Sequence, residues 1–172
     1  NDTFIMDQNA CSSPHLVFWI NAGSKMTDFW KRLDKFVGKK YEITNDLQNI
    51  KYDRLNKILF KSNMLLESHN LEKISIFKIK KLNPNIVNLR GYAGIFFESK
   101  IKNIENLKKI INEKFQTITY FGINRNKLKK FVKSKELLGL CRVVPVGQAI
   151  DMDLVWDGKN LINELTRIIE VK

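Results

Sequence analysis

The sequence predicts an α/β fold in which helices flank a mostly parallel sheet, in one domain that covers residues 1–172. Three observations predict this class. Beyond residue 94, runs of strand type alternate with helical segments, an order typical of parallel strands joined by right-handed crossovers. Hydrophobic residues make up 44% of the chain and charged residues 28%, as in globular domains. A length of 172 residues suits one buried core and is short for two.

The first part of the chain is predicted to form two strands and two long helices. The apolar run from Phe4 to Met6 predicts a strand that ends in a polar turn, and the run from Leu16 to Ile20 predicts a second strand. Apolar residues at helical spacing predict a helix from Met26 to Val37 and another from Asp46 to Glu67. Cys11 therefore falls between two predicted strands.

The rest of the chain is predicted to alternate between strand and helix, which places a site at the strand ends. In chain order the predicted elements are a strand from Ile74 to Ile79 ended by Asn83-Pro84-Asn85, a strand from Gly94 to Glu98, a helix from Ile104 to Phe115, a strand from Thr117 to Phe121, a helix from Arg125 to Leu137, a strand from Cys141 to Val146 and a helix from Leu161 to Ile169.

Charge and composition limit the classes of partner. The net charge of +12 would attract phosphate-bearing partners such as coenzyme A or nucleic acid. The excess is mostly Lys scattered along the chain, whereas nucleic-acid sites usually need a concentrated basic patch, so we expect no nucleic-acid partner. Two cysteines far apart favour a reducing cytoplasm over a secreted disulfide framework. No apolar run is long enough to predict a membrane span.

Other common sites are not predicted. Two cysteines and two histidines lack zinc spacing, and Asp151, Asp153 and Asp157 lack the Gly and Glu of a calcium loop. No glycine-rich dinucleotide turn or phosphate loop is present. We therefore expect no metal and leave the cofactor-binding residues unassigned. Four aromatic residues at core spacing favour packing over a base-stacking platform; they are Phe18, Trp19, Phe29 and Trp30.

Cys11 is the main candidate for chemistry. A thiolate near converging backbone N–H groups can attack a carbonyl carbon, and the same groups can stabilise the oxyanion that forms. The residues alone nevertheless favour a buried structural thiol at Cys11, and still more at Cys141 beside an apolar strand, because free Cys is often a core residue. His15 follows Cys11 by four residues, but the intervening Pro14 favours coincidence over a Cys–His pair.

Two stretches together resemble the LuxC-type fatty acyl-CoA reductases of bacterial bioluminescence operons, a branch of the aldehyde dehydrogenase superfamily. They are Asp7-Gln8-Asn9-Ala10-Cys11-Ser12-Ser13-Pro14 and Arg142-Val143-Val144-Pro145-Val146-Gly147-Gln148-Ala149, the latter continued by residues 151–158. The first is similar to the family's nucleophile loop and the second to the segment after its last sheet strand. The resemblance covers nearly the whole chain.

This resemblance implies an aldehyde-dehydrogenase-like catalytic domain and a reaction. Cys11 would accept an acyl group from long-chain acyl-CoA or an acyl carrier as a thioester, and NADPH would deliver hydride to release an aldehyde. In the superfamily the nucleotide-binding portion precedes the cysteine, so we expect NADPH to be bound mainly by a domain outside this chain. The chain alone would then be inactive as a reductase. The residues expected to line the active site are Asn9, Ser12, Gly147, Gln148 and Asp151.

The resemblance also implies partners, and two alternatives stay open. The implied partners are the acyl-protein synthetase and acyltransferase subunits of a fatty acid reductase complex, together with further copies of the chain. One alternative is a Cys-dependent acyltransferase or an oxidising aldehyde dehydrogenase. The other is a basic binding module without catalysis.

Overall fold

The computed structural model describes residues 1–60, 63–133 and 137–171. Short 3₁₀ helices lie at Pro84–Asn88 and Ile104–Lys109. The strands and α-helices in chain order are β1 Leu16–Ile20, α1 Lys25–Lys40, α2 Asn45–Phe60, β2 Leu65–Asn70, β3 Ser75–Ile79, β4 Ile95–Ile101, β5 Thr117–Tyr120, α3 Arg125–Val132, β6 Arg142–Pro145, β7 Val155–Trp156, β8 Lys159–Asn160 and α4 Leu161–Leu165.

The main sheet has four strands in the order β1-β4-β3-β2. Strand β4 is parallel to β1 on one side and to β3 on the other, and β2 pairs with β3 in the antiparallel sense. Strands β5 and β6 form a separate parallel pair, and β7 and β8 form a short antiparallel ladder. The predicted α/β class with a mostly parallel sheet and flanking helices is thus confirmed.

The first three residues of β4, Ile95 to Phe97, are apolar and buried on both faces of the sheet, as expected of a central parallel strand. Ile95 and Phe97 are completely buried in the larger core cluster, which also contains Phe131 of α3. Phe96, which points the other way, belongs to a smaller cluster with Trp30 of α1. The sheet therefore separates two cores, and the start of β4 is held rigidly between them.

The strand predicted from Phe4 to Met6 is wrong. Residues 2–8 form turns instead, and Asp7 and Gln8 adopt left-handed conformations with φ of 52° and 63°. The backbone N–H of Gln8 donates to the carbonyl oxygen of Thr3 at 2.6 Å. This doubling back prevents an extended strand, since strand residues need negative φ.

Three predicted helices are too long. The helix from Asp46 ends at Phe60, and Leu65 begins β2 because it pairs with β3. From Ile104 the chain forms only a 3₁₀ helix, in which Ile104 and Leu107 are buried at the three-residue spacing of that geometry. The last helix stops at Leu165, after which Thr166 is extended.

Helix α3 ends at Val132, and residues 134–136 of its predicted extent lie outside the described residues. Among the described helices, none is both long and apolar enough to cross a membrane. The strands predicted from Leu16, Ile74, Gly94, Thr117 and Cys141 are present within two residues of their predicted starts.

Candidate functional site: the Cys11 turn

Cys11 lies at the corner of a turn just before β1. The N–H of Ser13 donates to the carbonyl oxygen of Ala10 at 3.0 Å, so Cys11 and Ser12 are the two central residues of the turn. The Cys11 thiol is free and exposed, which rules out the buried structural thiol. Within the described residues, the backbone N–H groups of Cys11 and Ser12 donate to no protein acceptor.

Gln8 fixes the base of this turn. Its side chain is 1% exposed, and its Nε2 donates to the carbonyl oxygens of Pro14 at 2.9 Å and Ile95 at 2.8 Å. Its Oε1 accepts from the backbone N–H groups of Gly94 and Ile95, each at 3.1 Å. One buried amide thus makes four bonds that join the two ends of the Cys11 segment to the start of β4.

Asp7 provides a second attachment of the same segment. Its carbonyl oxygen accepts from the N–H of Ala93 at 3.0 Å, and its carboxylate accepts a hydrogen bond from the hydroxyl of Tyr41, just after α1. Burial raises the pKa of Tyr41, and the hydrogen bond to Asp7 raises it further. Tyr41 therefore stays protonated and acts as a donor at neutral pH.

His15 is a structural acceptor rather than a partner of the thiol. Its Nδ1 accepts from the backbone N–H of Gly91 at 3.0 Å. Burial lowers the pKa of His15 to about 4, and the nearby charge of Arg90 lowers it too. The ring is therefore neutral at pH 7, with its proton on Nε2. Nε2 and the Ser13 hydroxyl are buried without a hydrogen-bond partner among the described residues, so no Cys–His pair forms here.

The lowered pKa of His15 predicts a loss of stability in mild acid. Between its unfolded pKa of 6.5 and its folded pKa of about 4, the unfolded chain binds more protons than the folded one. The contribution of His15 to the free energy of unfolding is therefore complete above pH 6.5 and falls as the pH drops towards 4. Between about pH 7 and about pH 5 we expect the free energy of unfolding to fall by about 2 kcal/mol because of His15.

Urea unfolding of variants at both pH values checks this. His15→Asn keeps a side-chain acceptor for Gly91 but cannot titrate, so its stability should change much less over this range. His69 is exposed on β2, and His69→Asn should keep the full loss. If His15→Asn lost as much stability as the wild type between the two pH values and His69→Asn did not, the pH dependence would not come from His15.

The loop after β6 is held by Asp2 and Arg142. The carboxylate of Asp2 accepts from the N–H of Gly147 at 2.7 Å and from that of Ala149 at 3.0 Å. Arg142 donates to the carbonyl oxygens of Ala149 at 2.7 Å and Gln148 at 3.3 Å, and also to that of Asp151. The loop is thereby attached to the segment that carries Cys11.

The side chain of Arg142 also stacks on an aromatic ring. Its guanidinium carbon lies 4.5 Å from the ring centroid of Trp156 in β7, a cation–π contact. Arg142 therefore contacts four residues of the segment 142–158 that the resemblance singled out. Asp2, Arg142 and Trp156 form one connected support for the loop.

Removing this support should loosen the loop without unfolding the sheet. Arg142→Met keeps most of the apolar length but loses three charge-assisted bonds, and we expect a cost of about 2 kcal/mol in the free energy of unfolding. Hydrogen exchange read by mass spectrometry should show faster exchange in residues 147–157. Arg125→Met, at the exposed start of α3, should change neither quantity. Unaltered exchange in Arg142→Met would contradict the proposed support.

The predicted site residues lie in two groups. Asn9 and Cys11 are exposed and Ser12 is half-buried in the Cys11 turn. The other group is Gly147, Gln148 and Asp151, in the loop after β6. The two groups share the attachment through Asp2, but no hydrogen bond links them directly within the described residues.

Cys141 is also exposed, so the prediction of a buried structural thiol there is wrong. Its Sγ lies 3.4 Å from the carbonyl oxygen of Gly139. Cys141 and Arg142 line an open cavity of about 260 Å³. A second cavity, of about 450 Å³, lies between the 3₁₀ helix at Pro84–Asn88 and residues 111–114. Neither is lined by a residue of the Cys11 turn.

Gln8, Asp2 and Tyr41 were missed as parts of the site by sequence reasoning. The partners of Gln8 and Asp2 lie 87 and 145 residues away, and no local pattern marks such contacts. The one available signal was an amide and a carboxylate beside the apolar run that starts at Phe4, since polar groups in an apolar context usually have bonding partners.

No protein-family model matches this chain, and no curated protein matches it significantly. The family resemblance of the two stretches therefore stays a prediction.

Proposed function

We propose that this chain is the catalytic domain of a LuxC-type long-chain acyl-CoA reductase, with an aldehyde-dehydrogenase-like fold, and that Cys11 is its acyl-accepting nucleophile. The observation that carries the proposal is the free, exposed thiol of Cys11. It stands at the corner of a turn that the buried Gln8 amide fixes. A rigid turn favours catalysis because the thiol need not be ordered when the acyl group arrives.

In the proposed step the Cys11 thiolate attacks the carbonyl carbon of a long-chain acyl-CoA and forms a C–S bond. The negative charge moves to the carbonyl oxygen, where the unpaired N–H groups of Cys11 and Ser12 can donate to it. When the oxyanion re-forms the C=O double bond, the bond between the carbonyl carbon and the CoA sulfur breaks. CoA leaves as a thiolate and takes up the proton that Cys11 lost, so the acyl group remains as a thioester on Cys11.

The described residues do not fit a nicotinamide dinucleotide beside Cys11. A dinucleotide site needs a cleft with backbone donors for the pyrophosphate. In the loop after β6, the N–H groups of Gly147 and Ala149 already donate to the Asp2 carboxylate and are not free for a pyrophosphate. The proposal for the described residues therefore covers acyl transfer to Cys11 and assigns none of them to NADPH.

Covalent labelling tests the proposal. The full chain is incubated with a radiolabelled long-chain acyl-CoA, digested, and the labelled peptide is identified by mass spectrometry. We expect the label on Cys11 in the wild type and in Cys141→Ala, and no label on the remaining thiol of Cys11→Ala. Because both thiols are exposed, Cys141 is a matched control for indiscriminate acylation.

Two outcomes would overturn the proposal. Equal labelling of Cys11 and Cys141 would mean that Cys11 is merely accessible. Label retained in Cys11→Ala at the wild-type level would place the nucleophile elsewhere. A label on Cys11 that transfers to an added thiol but resists discharge by NADPH in the presence of the complete reductase would favour the acyltransferase over the reductase.

A further inference from the structure

One face of α1 exposes two aromatic rings among basic side chains. Phe29 is 43% exposed and Phe36 is 61% exposed. The basic side chains on the same face are also exposed; they are Lys25, Arg32, Lys39 and Lys40. We call these six residues the α1 basic-aromatic face.

Helical spacing places these residues together. Positions 25, 29, 32, 36 and 39 follow one another by three or four residues, the spacing of neighbours along one side of a helix. The buried residues of α1, Met26, Trp30 and Val37, point towards the sheet on a separate face. The rings of Phe29 and Phe36, seven residues apart, are separated by about 10 Å along the helix axis.

The face rests on a rigid aromatic support. The ring of Phe29 lies 5.3 Å from that of Trp19 and 5.1 Å from that of Trp30, between centroids. Both indole N–H groups donate to one carboxylate oxygen of Glu98, at 2.8 Å and 2.7 Å. Phe29 therefore packs on one side only, which corrects its prediction as a core residue. Its other side stays in water.

The four cationic side chains of this face form no ion pair in the part of the chain that the structure describes. No ion pair among the described residues involves Lys25, Arg32, Lys39 or Lys40. Of the two acids in α1, Asp34 is turned inward and accepts from the backbone of Lys73. Asp28 is then the one acid of α1 near the face.

We propose that the α1 basic-aromatic face docks onto the surface of an anionic phospholipid bilayer. Cations near such a surface are attracted by its negative potential, and aromatic rings are favoured at the boundary between headgroups and acyl chains. The face is convex and carries its rings outward, which suits a broad, deformable surface. Single-stranded nucleic acid is instead bound in basic grooves where successive bases stack. The proposal does not depend on the function proposed for Cys11.

Vesicle co-sedimentation of the full chain tests this. One set of vesicles contains phosphatidylcholine alone, and in the other phosphatidylglycerol replaces half of it. We expect binding to the anionic vesicles, release at high salt because charge attraction is screened, and little binding to the neutral ones. Lys39→Gln combined with Lys40→Gln should weaken binding about 25-fold, about five-fold for each charge removed.

Matched variants show whether vesicle binding depends on this face or only on the net charge and exposed apolar surface of the chain. Lys127→Gln combined with Lys130→Gln removes two exposed charges from α3 and should leave binding within about two-fold of the wild type. Phe36→Ser should weaken binding about ten-fold or more through loss of the inserted ring. Phe121→Ser, at a position 90% exposed just after β5, should not weaken it.

Three results would overturn the proposal. They are equal weakening by the α1 and α3 charge variants, equal binding to neutral and anionic vesicles, and no vesicle binding alongside salt-sensitive binding to an oligonucleotide that the α1 variants abolish. The last result would make the face a nucleic-acid surface.

Discussion

Serine in place of Cys11 is expected to lower the initial rate of CoA release from a long-chain acyl-CoA by about three orders of magnitude or more. A hydroxyl is a much weaker nucleophile than a thiolate near neutral pH, and no neighbouring base is hydrogen-bonded to this position within the described residues. Because the side chain is exposed, the substitution should leave the folded structure intact. The measurement is CoA release, followed by chromatography at saturating acyl-CoA.

The control for this experiment is Cys141→Ser, which removes the other exposed thiol. It should keep the wild-type rate of CoA release. Equal thermal unfolding curves for wild type, Cys11→Ser and Cys141→Ser would show that a loss of rate is chemical. A Cys11→Ser variant that releases CoA at the wild-type rate would remove Cys11 from the mechanism.

Alanine in place of Gln8 is expected to lower the free energy of unfolding by about 3 to 5 kcal/mol. Four hydrogen bonds disappear together, and the buried N–H of Gly94 loses its acceptor, whereas that of Ile95 keeps its bond to the carbonyl oxygen of Tyr92. The cavity left by the side chain adds to this cost. At temperatures where the variant is still folded, acylation of Cys11 should also slow, because the turn is no longer joined to β4.

Two comparisons identify the source of the effect. Gln8→Glu keeps the size of the side chain but places an oxygen against the carbonyl oxygens of Pro14 and Ile95, so it should destabilise at least as strongly as Gln8→Ala. Gln48→Ala alters an exposed glutamine of α2 and should change stability by less than about 0.5 kcal/mol. Urea unfolding at constant pH measures all three. A small effect of Gln8→Glu would mean that shape alone matters at this position.

The elements with a strong periodic pattern were predictable, and those decided by distant contacts were not. Helix α1 was predicted because its apolar residues recur at helical spacing and face the sheet. Strand β4 was predicted from its continuous apolar run. Residue 65 looked helical by the same criterion, yet it forms a strand because Ile79 offers it a pairing partner. Local periodicity cannot reveal that partner.

Of the candidate site, only Cys11 could be singled out from the sequence. The residues alone favoured a buried thiol at Cys11, which its exposure contradicts, and only the resemblance made Cys11 the candidate nucleophile, a role that stays a prediction. Gln8, which fixes the turn, and Asp2, which holds the loop after β6, bond to partners 87 and 145 residues away. The exposure of Phe29 was also missed, because an aromatic residue at helical spacing is more often buried than not.

The attachment of the Cys11 segment has a consequence for the order of folding. Its contacts join residues 87 apart at Ile95 and 147 apart at Ala149, so each requires closure of a long loop. The local sequence supplies little to form the turn beforehand, since Asp7 and Gln8 adopt left-handed conformations that cost energy unless other contacts enforce them. During synthesis, a nascent chain that has not reached β4 carries the Cys11 sequence without its geometry. The Cys11 turn is thus completed only once the strand that anchors it has been made.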